Sequence, residues 1–313
     1  MALDYTPIEA TTQEYIVPYL RDNIFDSTPT LTRMKTKVNK SQDGGKFIEQ
    51  PIIYASDAST GHYNGWGTVD TAETDTITGV TYNWAFAYCT MAISRTDELK
   101  NSGKSGIVNL LKAKTQIARD TLAKTLTTDL FSATSVTNGI QGFPLMLDDS
   151  STVEYAGIDT ADFSGWASSI DSTSTTLTPK LLQGKFGDCS DGNEVPTLMI
   201  MNQDLFDKVW ALYEVKPEFR IQNENRTLKF QAADIIVDKA SPGTGSGTED
   251  NHISFINENF IEFYVHPRDN ITVSKWREPI NQMGRIAFVT WCGQLATSNR
   301  RRHGALEALD PAL

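Results

Sequence analysis

The spacing of apolar positions along this chain changes character several times, and each change predicts an element. Between residues 41 and 95, β-branched and aromatic residues crowd into two runs, Lys46-Phe-Ile-Glu-Gln-Pro-Ile-Ile-Tyr54 and Ile77-Thr-Gly-Val-Thr-Tyr-Asn-Trp-Ala-Phe-Ala-Tyr88. They predict the two strands of one long hairpin. The stretch joining them, Asp57 to Thr76, sets Gly61, Gly65 and Gly67 around Trp66, and is too polar to bury and too long for a tight turn. It is expected to project from the body. From Lys104 to Phe131 the period becomes helical and proline is absent. Leu111, Ala118, Leu122, Leu126 and Leu130, with Ile107, Leu110 and Ile117, recur at three- and four-residue steps, while Lys112, Lys114, Arg119, Asp120 and Lys124 take the other face. At 1.5 Å per residue such a helix runs roughly 40 Å, long enough to act as a spine.

On either side of these elements the pattern is less regular. Residues 1–40 read as an arm, because Pro7, Pro18 and Pro29 interrupt any long helix and few apolar positions are available to pack, although a short helical piece around Glu9 to Leu20 is compatible with the spacing. Residues 140–250 alternate strand-like and helix-like segments with Ser/Thr/Asp/Gly loops. The buried-strand run Pro196-Thr-Leu-Met-Ile-Met201 leads into a helix over Asn202–Tyr213 that Asn202 can cap, and Ala233–Asp238 predicts a further short strand. Strands then follow one another at Ile253–Ile256, Ile261–Val265, Ile271–Trp276 and Arg285–Trp291, separated by loops that hold Asn257, Asn259, Pro267 and Pro279.

Composition narrows the function classes. With 313 residues and 39% hydrophobic content the chain can bury a substantial core, and it contains no apolar run long enough to span a membrane. Met1 is followed by Ala2, Leu3, Asp4 and Tyr5 rather than by a secretory signal, which implies a protein made in the cytosol. Cys89, Cys189 and Cys292 lie far apart, so reduced thiols are expected. The formal net charge of -11 sets the summed field against nucleic-acid phosphates. Against that background Arg300-Arg-Arg-His303 stands out. A lone three-arginine run lacks the spread basic face and interleaved aromatics of a nucleic-acid surface, and guanidinium groups pair carboxylates in two-point geometry, so pairing within or between subunits is the expectation.

Motifs for chemistry are missing where they would be needed. Gly243-Thr-Gly-Ser-Gly-Thr248 lacks the Lys-Ser/Thr ending of a phosphate cradle, and Gly44-Gly-Lys46 has Phe47 where a hydroxyl must hold magnesium. His62, His252, His266 and His303 are scattered singly, Asp148-Asp149 has no third carboxylate at a fixed offset, and no Gly-x-Ser-x-Gly elbow occurs. Asn225-Arg-Thr227 and Asn270-Ile-Thr272 fit the glycosylation pattern by chance. No catalytic residue, cofactor site or metal site is therefore assigned.

Taken in order, these pieces resemble the major capsid protein of tailed bacteriophages, the Hong Kong 97-type fold. Asn138-Gly-Ile-Gln-Gly-Phe143 after the spine, Leu198-Met-Ile-Met-Asn202, Ile235-Ile-Val-Asp238 near Pro242, Gly293-Gln-Leu295 and Ser298-Asn-Arg-Arg-Arg-His303 look like the family as well. The resemblance implies an α+β fold made of an N-terminal arm (1–40), an extended hairpin loop (41–90), a peripheral domain with the spine helix (91–135 and 253–291) and an inserted mixed α/β axial domain (136–252 and 292–313). It implies a structural, non-enzymatic protein whose copies assemble as pentamers and hexamers into an icosahedral shell. The shell would enclose double-stranded DNA without reading its sequence, and would work beside a portal and, in some relatives, separate scaffolding or decoration proteins. The virion is then the expected location and the host cytoplasm the place of synthesis. An encapsulin-like compartment shares the fold and is the alternative, and a soluble α/β enzyme is a third reading that the missing motifs disfavour. Candidate subunit contacts are Lys46, Tyr63 and Trp66 on the hairpin and Arg300, Arg301 and Arg302 near the end. Some relatives join neighbours by a Lys-to-Asn isopeptide bond, but Lys46 is the only lysine of the hairpin and lies at its base, so no cross-link is expected. The passage from Met1 straight into the arm implies a separate scaffold protein or none.

Overall fold

A computed structural model describes residues 28–55, 59–72, 75–100, 110–149, 154–161, 163–172, 176–214, 229–242 and 251–309. The expected helix at Glu9 to Leu20, the first turns of the spine, the Asn225 sequon and the Gly243–Asp250 loop lie outside the described residues. Two compact units form. Of the described residues, one takes in those within 88–122 and 273–289, and the other those within 28–87, 123–272 and 290–309.

Helix α1 (Pro29–Lys37) is followed by strands β1 (Asn39–Ser41), β2 (Ile48–Ile53), β3 (Ile77–Tyr82) and β4 (Ala85–Ser94), then by helices α2 (Arg95–Lys100), α3 (Leu110–Leu130) and α4 (Phe143–Met146). The α3 spine buries Ala118, Leu122, Leu126 and Leu130, the positions its period marks, while Ile117 stays 39% exposed. The remaining elements are β5 (Ser169–Asp171), α5 (Pro179–Asp188), β6 (Leu198–Met201), α6 (Gln203–Glu214), β7 (Lys229–Phe230), β8 (Ala233–Val237), β9 (Ile253–Ile256), β10 (Ile261–Val273), β11 (Gly284–Thr297) and β12 (Gly304–Leu306).

The larger unit is built on a mixed six-stranded sheet of order β5-β12-β9-β6-β8-β7. Its inner strands β6 and β9 are buried at every position, which is why they read as continuous apolar runs rather than alternating ones. Met199, Met201, Ile235, Ile253, Phe255 and Leu306 pack with Leu182 and Phe186 of α5 and with Leu205 and Val209 of α6 in one apolar cluster. Asn202 caps α6 as expected, its Oδ1 accepting from the Leu205 amide at 2.9 Å.

Three departures from the sequence reading have physical reasons. Ile253–Ile256, grouped by its spacing with the later strands, instead pairs antiparallel with β6 and β12 at the centre of this sheet. The end of the supposed arm is folded. Leu31 and Met34 of α1 are buried, the Thr30 amide donates to Asp238 Oδ2 at 3.3 Å, and Arg33 grips Glu258 through two contacts (2.6 and 2.9 Å) and Asp234 at 3.0 Å. Partners some 200 residues away in sequence supply what the local pattern lacked. Finally, β10 runs unbroken through Pro267, because β1 pairs with it only at Phe263–Val265, so the missing proline amide falls where that neighbour no longer needs a donor.

Since Phe255 is fully buried on a strand paired on both sides, Phe255→Ala should lower unfolding free energy by about 3–5 kcal/mol. Urea unfolding of the unassembled subunit checks this, and a loss under about 1 kcal/mol would mean that this sheet does not form the core.

Candidate functional site

The feature with functional content is the hairpin, through what it covers and what it leaves bare. Strands β2 and β3 pair antiparallel from Ile48↔Tyr82 to Ile53↔Ile77. Along β2 burial alternates strictly, with Ile48, Gln50 and Ile52 inward and Glu49, Pro51 and Ile53 outward. At the far rung the facing isoleucines Ile53 and Ile77 are 79% and 61% exposed, and beyond it residues 60–72 are all exposed. Trp66 is bare and Tyr63 is 75% exposed. Of the fifteen exposed large apolar side chains among the described residues, eight fall within 41–90: Phe47, Ile53, Tyr63, Trp66, Val69, Ile77, Phe86 and Tyr88. The described part of the hairpin, about a fifth of the described residues, thus carries about half of their exposed large apolar side chains. Lys46 is exposed at the base, its ammonium 5.0 Å from the ring centre of Phe47.

The base, by contrast, is fixed. Gln50 Nε2 donates to Glu262 Oε2 at 2.6 Å and to Tyr264 Oη at 3.0 Å. Tyr82, fully buried, donates its hydroxyl to the Thr297 carbonyl (2.7 Å) and accepts from the Thr297 amide (3.1 Å). The Thr81 amide donates to Ala156 O at 3.0 Å, and Gln294 Nε2 donates to Asn83 O at 2.8 Å while its Oε1 accepts from the Gln141 amide at 2.9 Å. Each partner lies far away in sequence, and half are backbone groups, so the base of the hairpin is held in place by the fold around it.

The first arginine of the run departs from the expected carboxylate pairing. Arg300 is only 1% exposed, with its guanidinium turned into its own subunit. Nε donates to Met146 O at 2.8 Å, and Nη2 donates to the carbonyls of Leu145 (3.4 Å) and Asp148. These carbonyls end the short helix α4, where a cation is favoured. The guanidinium also lies 4.8 Å from the ring centre of Tyr155 and 6.0 Å from that of Trp166. Arg300 is therefore removed from the subunit-contact candidates, and its partners are carbonyls rather than carboxylates. Arg301 is exposed, and Arg302 pairs with Asp191 of its own chain at 2.7 Å. The run sits between the buried stretches Leu295-Ala-Thr297 and Gly304-Ala-Leu306, so a single turn joining them must point one of its three side chains inward. That flanking pattern was the available signal.

His303, fully buried, completes the core of this turn. Its Nδ1 accepts from the Asn257 amide at 3.2 Å, which leaves the proton on Nε2 to donate to Thr297 Oγ1 at 3.0 Å, and Thr297 Oγ1 in turn donates to Phe260 O at 2.9 Å. Burial first, and the nearby Arg300 charge second, push the imidazole pKa down to about 3. Thr297 thus joins the histidine to Tyr82, and through it the turn to the hairpin base.

No protein-family model and no curated protein matches this chain. Solved structures do. A capsid structure of Cyanophage A-1(L) superposes with a TM-score of 0.72 at 15% identity, over 96% of this chain and 98% of that one. The capsid of an empty GTA particle gives 0.69 at 9% identity, over 99% and 100%. The fold is the Hong Kong 97-type capsid fold. The same fold covers an encapsulin complex of Synechococcus elongatus, with a TM-score of 0.62 at 10% identity over 98% of this chain and 95% of that one. At these identities the match lies in architecture, and the side-chain arrangements described above belong to this chain.

The depressed His303 pKa has a signed consequence. Between its ordinary value of 6.5 and about 3, the unfolded chain binds a proton that the folded chain refuses, so stability falls as pH drops through that window. From pH 7.5 to 5 the loss due to this group should be about 2 kcal/mol, and His303→Gln should remove it. Urea unfolding at the two pH values measures this, and equal slopes for the two proteins would contradict the assignment.

Proposed function

We propose that this chain is a structural subunit of a closed protein shell, most specifically the major capsid protein of a tailed bacteriophage enclosing double-stranded DNA. The observation that carries the reading is the rigidly based hairpin with its apolar outer end left bare. Burying Trp66 and Tyr63 against a neighbour stabilises the contact by about 1.5–3 kcal/mol each. Repetition over a lattice turns such modest contacts into a durable wall while single subunits still exchange and correct. A formal charge of -11 suits a container that must not grip its DNA. In this reading the hairpin is 41–90, the axial domain is 136–256 and 292–313, with β9 included, and the peripheral domain is 91–135 and 257–291. The arm ends where α1 docks. Lys46, Tyr63, Trp66 and Arg301 are contact residues, Arg302 contributes at most at the rim, and a portal and separate scaffolding or decoration proteins are partners. The virion is its location.

The likeness to an encapsulin keeps a second reading in view, a compartment that encloses an enzyme. Its contents separate the two, because the capsid reading requires a genome inside. Expressed alone or with its genomic neighbours, the chain should give closed shells, tubes or rings of five or six subunits by sedimentation and negative-stain microscopy. Trp66→Ala with Tyr63→Ala should leave subunits folded but weaken each contact by about 3–6 kcal/mol, shifting the population to small species. A sharp monomer or dimer peak at every concentration would overturn the reading.

A further inference from the structure

The chain's charge is divided unevenly between its two compact units. The described residues within 88–122 and 273–289 hold eight lysines and arginines and four carboxylates, a formal +4, so the rest of the chain carries a formal -15. Part of the smaller unit's charge is neutralised internally. Arg285 Nη1 pairs with Glu98 Oε1 at 3.1 Å, and the Asp120 carboxylate accepts from Gln116 Nε2 at 2.9 Å. Arg95, Lys100, Lys114, Arg119, Lys275 and Arg277 are exposed and stand in no ion pair among the described residues. Against these six, Asp97 and Glu278 are the exposed acids among the described residues of the unit.

Local structure sets how the cations are presented. The Ser274 amide donates to Phe288 O at 2.8 Å, and Arg277 exchanges both backbone bonds with Ile286 at 2.9 and 2.8 Å, so the segment runs extended beside β11. Burial alternates along it, with Lys275 and Arg277 exposed and Trp276 half-buried. Two residues apart on an extended chain, the two cations leave it on one side, roughly 6.6 Å from each other. Lys114 and Arg119 stand at exposed positions of α3, and Arg95 and Lys100 at the two ends of α2. Cations spread over three elements, rather than gathered about one cleft, suit a partner that repeats its own charge. Duplex DNA carries a phosphate for every 1.7 Å or so of axis, about the densest such array, whereas a lone carboxylate would satisfy one of the six.

We propose that the unit containing 88–122 and 273–289 is where a subunit touches the phosphate backbone of the enclosed DNA, through Lys275 and Arg277 beside β11 and Lys114 and Arg119 on α3. The contact carries no sequence information, because its groups meet phosphates and not base edges. It is weak for each subunit, since the formal -15 elsewhere repels the same phosphates. Many such contacts around a shell keep DNA near the wall without gripping it at any one place.

This inference rests on the shell-subunit reading. Binding of unassembled subunits to two fluorescent duplexes of unrelated sequence is followed by anisotropy between about 25 and about 200 mM salt. Five proteins are compared: wild type, Lys275→Gln with Arg277→Gln, Lys114→Gln with Arg119→Gln, all four substitutions together, and Lys37→Gln with Lys180→Gln, which removes two exposed cations from the other unit. Thermal melting is the folding control and should be unchanged throughout. Wild type should bind both duplexes alike, and each of the first two double variants should lower the slope of log affinity against log salt by about 2, the quadruple variant by about 4 and the control pair by less than about 0.5. Sedimentation of the same preparations separates this inference from the reading beneath it. Wild-type shells whose subunits bind neither duplex, a tested double variant with the wild-type slope, or an equal loss in the control pair overturns the proposal and leaves the shell reading standing. A labelled oligoglutamate bound as tightly as the duplexes also overturns it, in favour of an acidic protein partner. A wild-type chain that never assembles removes the shell reading and this inference with it.

Discussion

A two-stranded ribbon has two faces, and a single body can cover only one of them. In this chain the inward face, with Ile48, Ile52, Val80 and Tyr82, is buried, while Ile53, Ile77, Tyr63 and Trp66 are left exposed among the described residues. Isolated hairpins are marginal in water, so this one persists because its base is held by groups distant in sequence. Water then meets an apolar surface that the fold cannot hide. The rest of the account follows from that mismatch.

What holds the base is largely polar and largely buried. Tyr82, Thr297 and His303 form a connected set, and beside it Arg300 donates to the Met146, Leu145 and Asp148 carbonyls about 150 residues earlier. Buried networks of this kind fix geometry more than they add stability, because satisfied partners tolerate only one arrangement. A hairpin aimed in one direction is what repeated contacts between identical subunits require. The cost is sensitivity to acid, since Nδ1 of His303 accepts from the Asn257 amide only while the imidazole is neutral.

The sequence made some of this legible and hid the rest for physical reasons. The spine was readable because Ala118, Leu122, Leu126 and Leu130 mark one helix face, and the hairpin because β-branched runs flank a glycine-punctuated polar stretch. The α6 cap was readable from Asn202 alone. Strand membership was not: Ile253–Ile256 is an apolar run that fits either sheet, and only its pairing with β6 decides. Arg300 was misread because its burial depends on carbonyls about 150 residues earlier, which no local pattern announces.

The central claim is that the outer end of the hairpin finds its cover on another copy. Oxidative footprinting of Trp66, read by mass spectrometry in unassembled subunits and in shells made from the same preparation, addresses it directly. The account predicts strong labelling of the free subunit and a drop of at least about tenfold in the assembled form, as expected for an aromatic moved from full exposure to an interface core. Equal labelling in both states would contradict it.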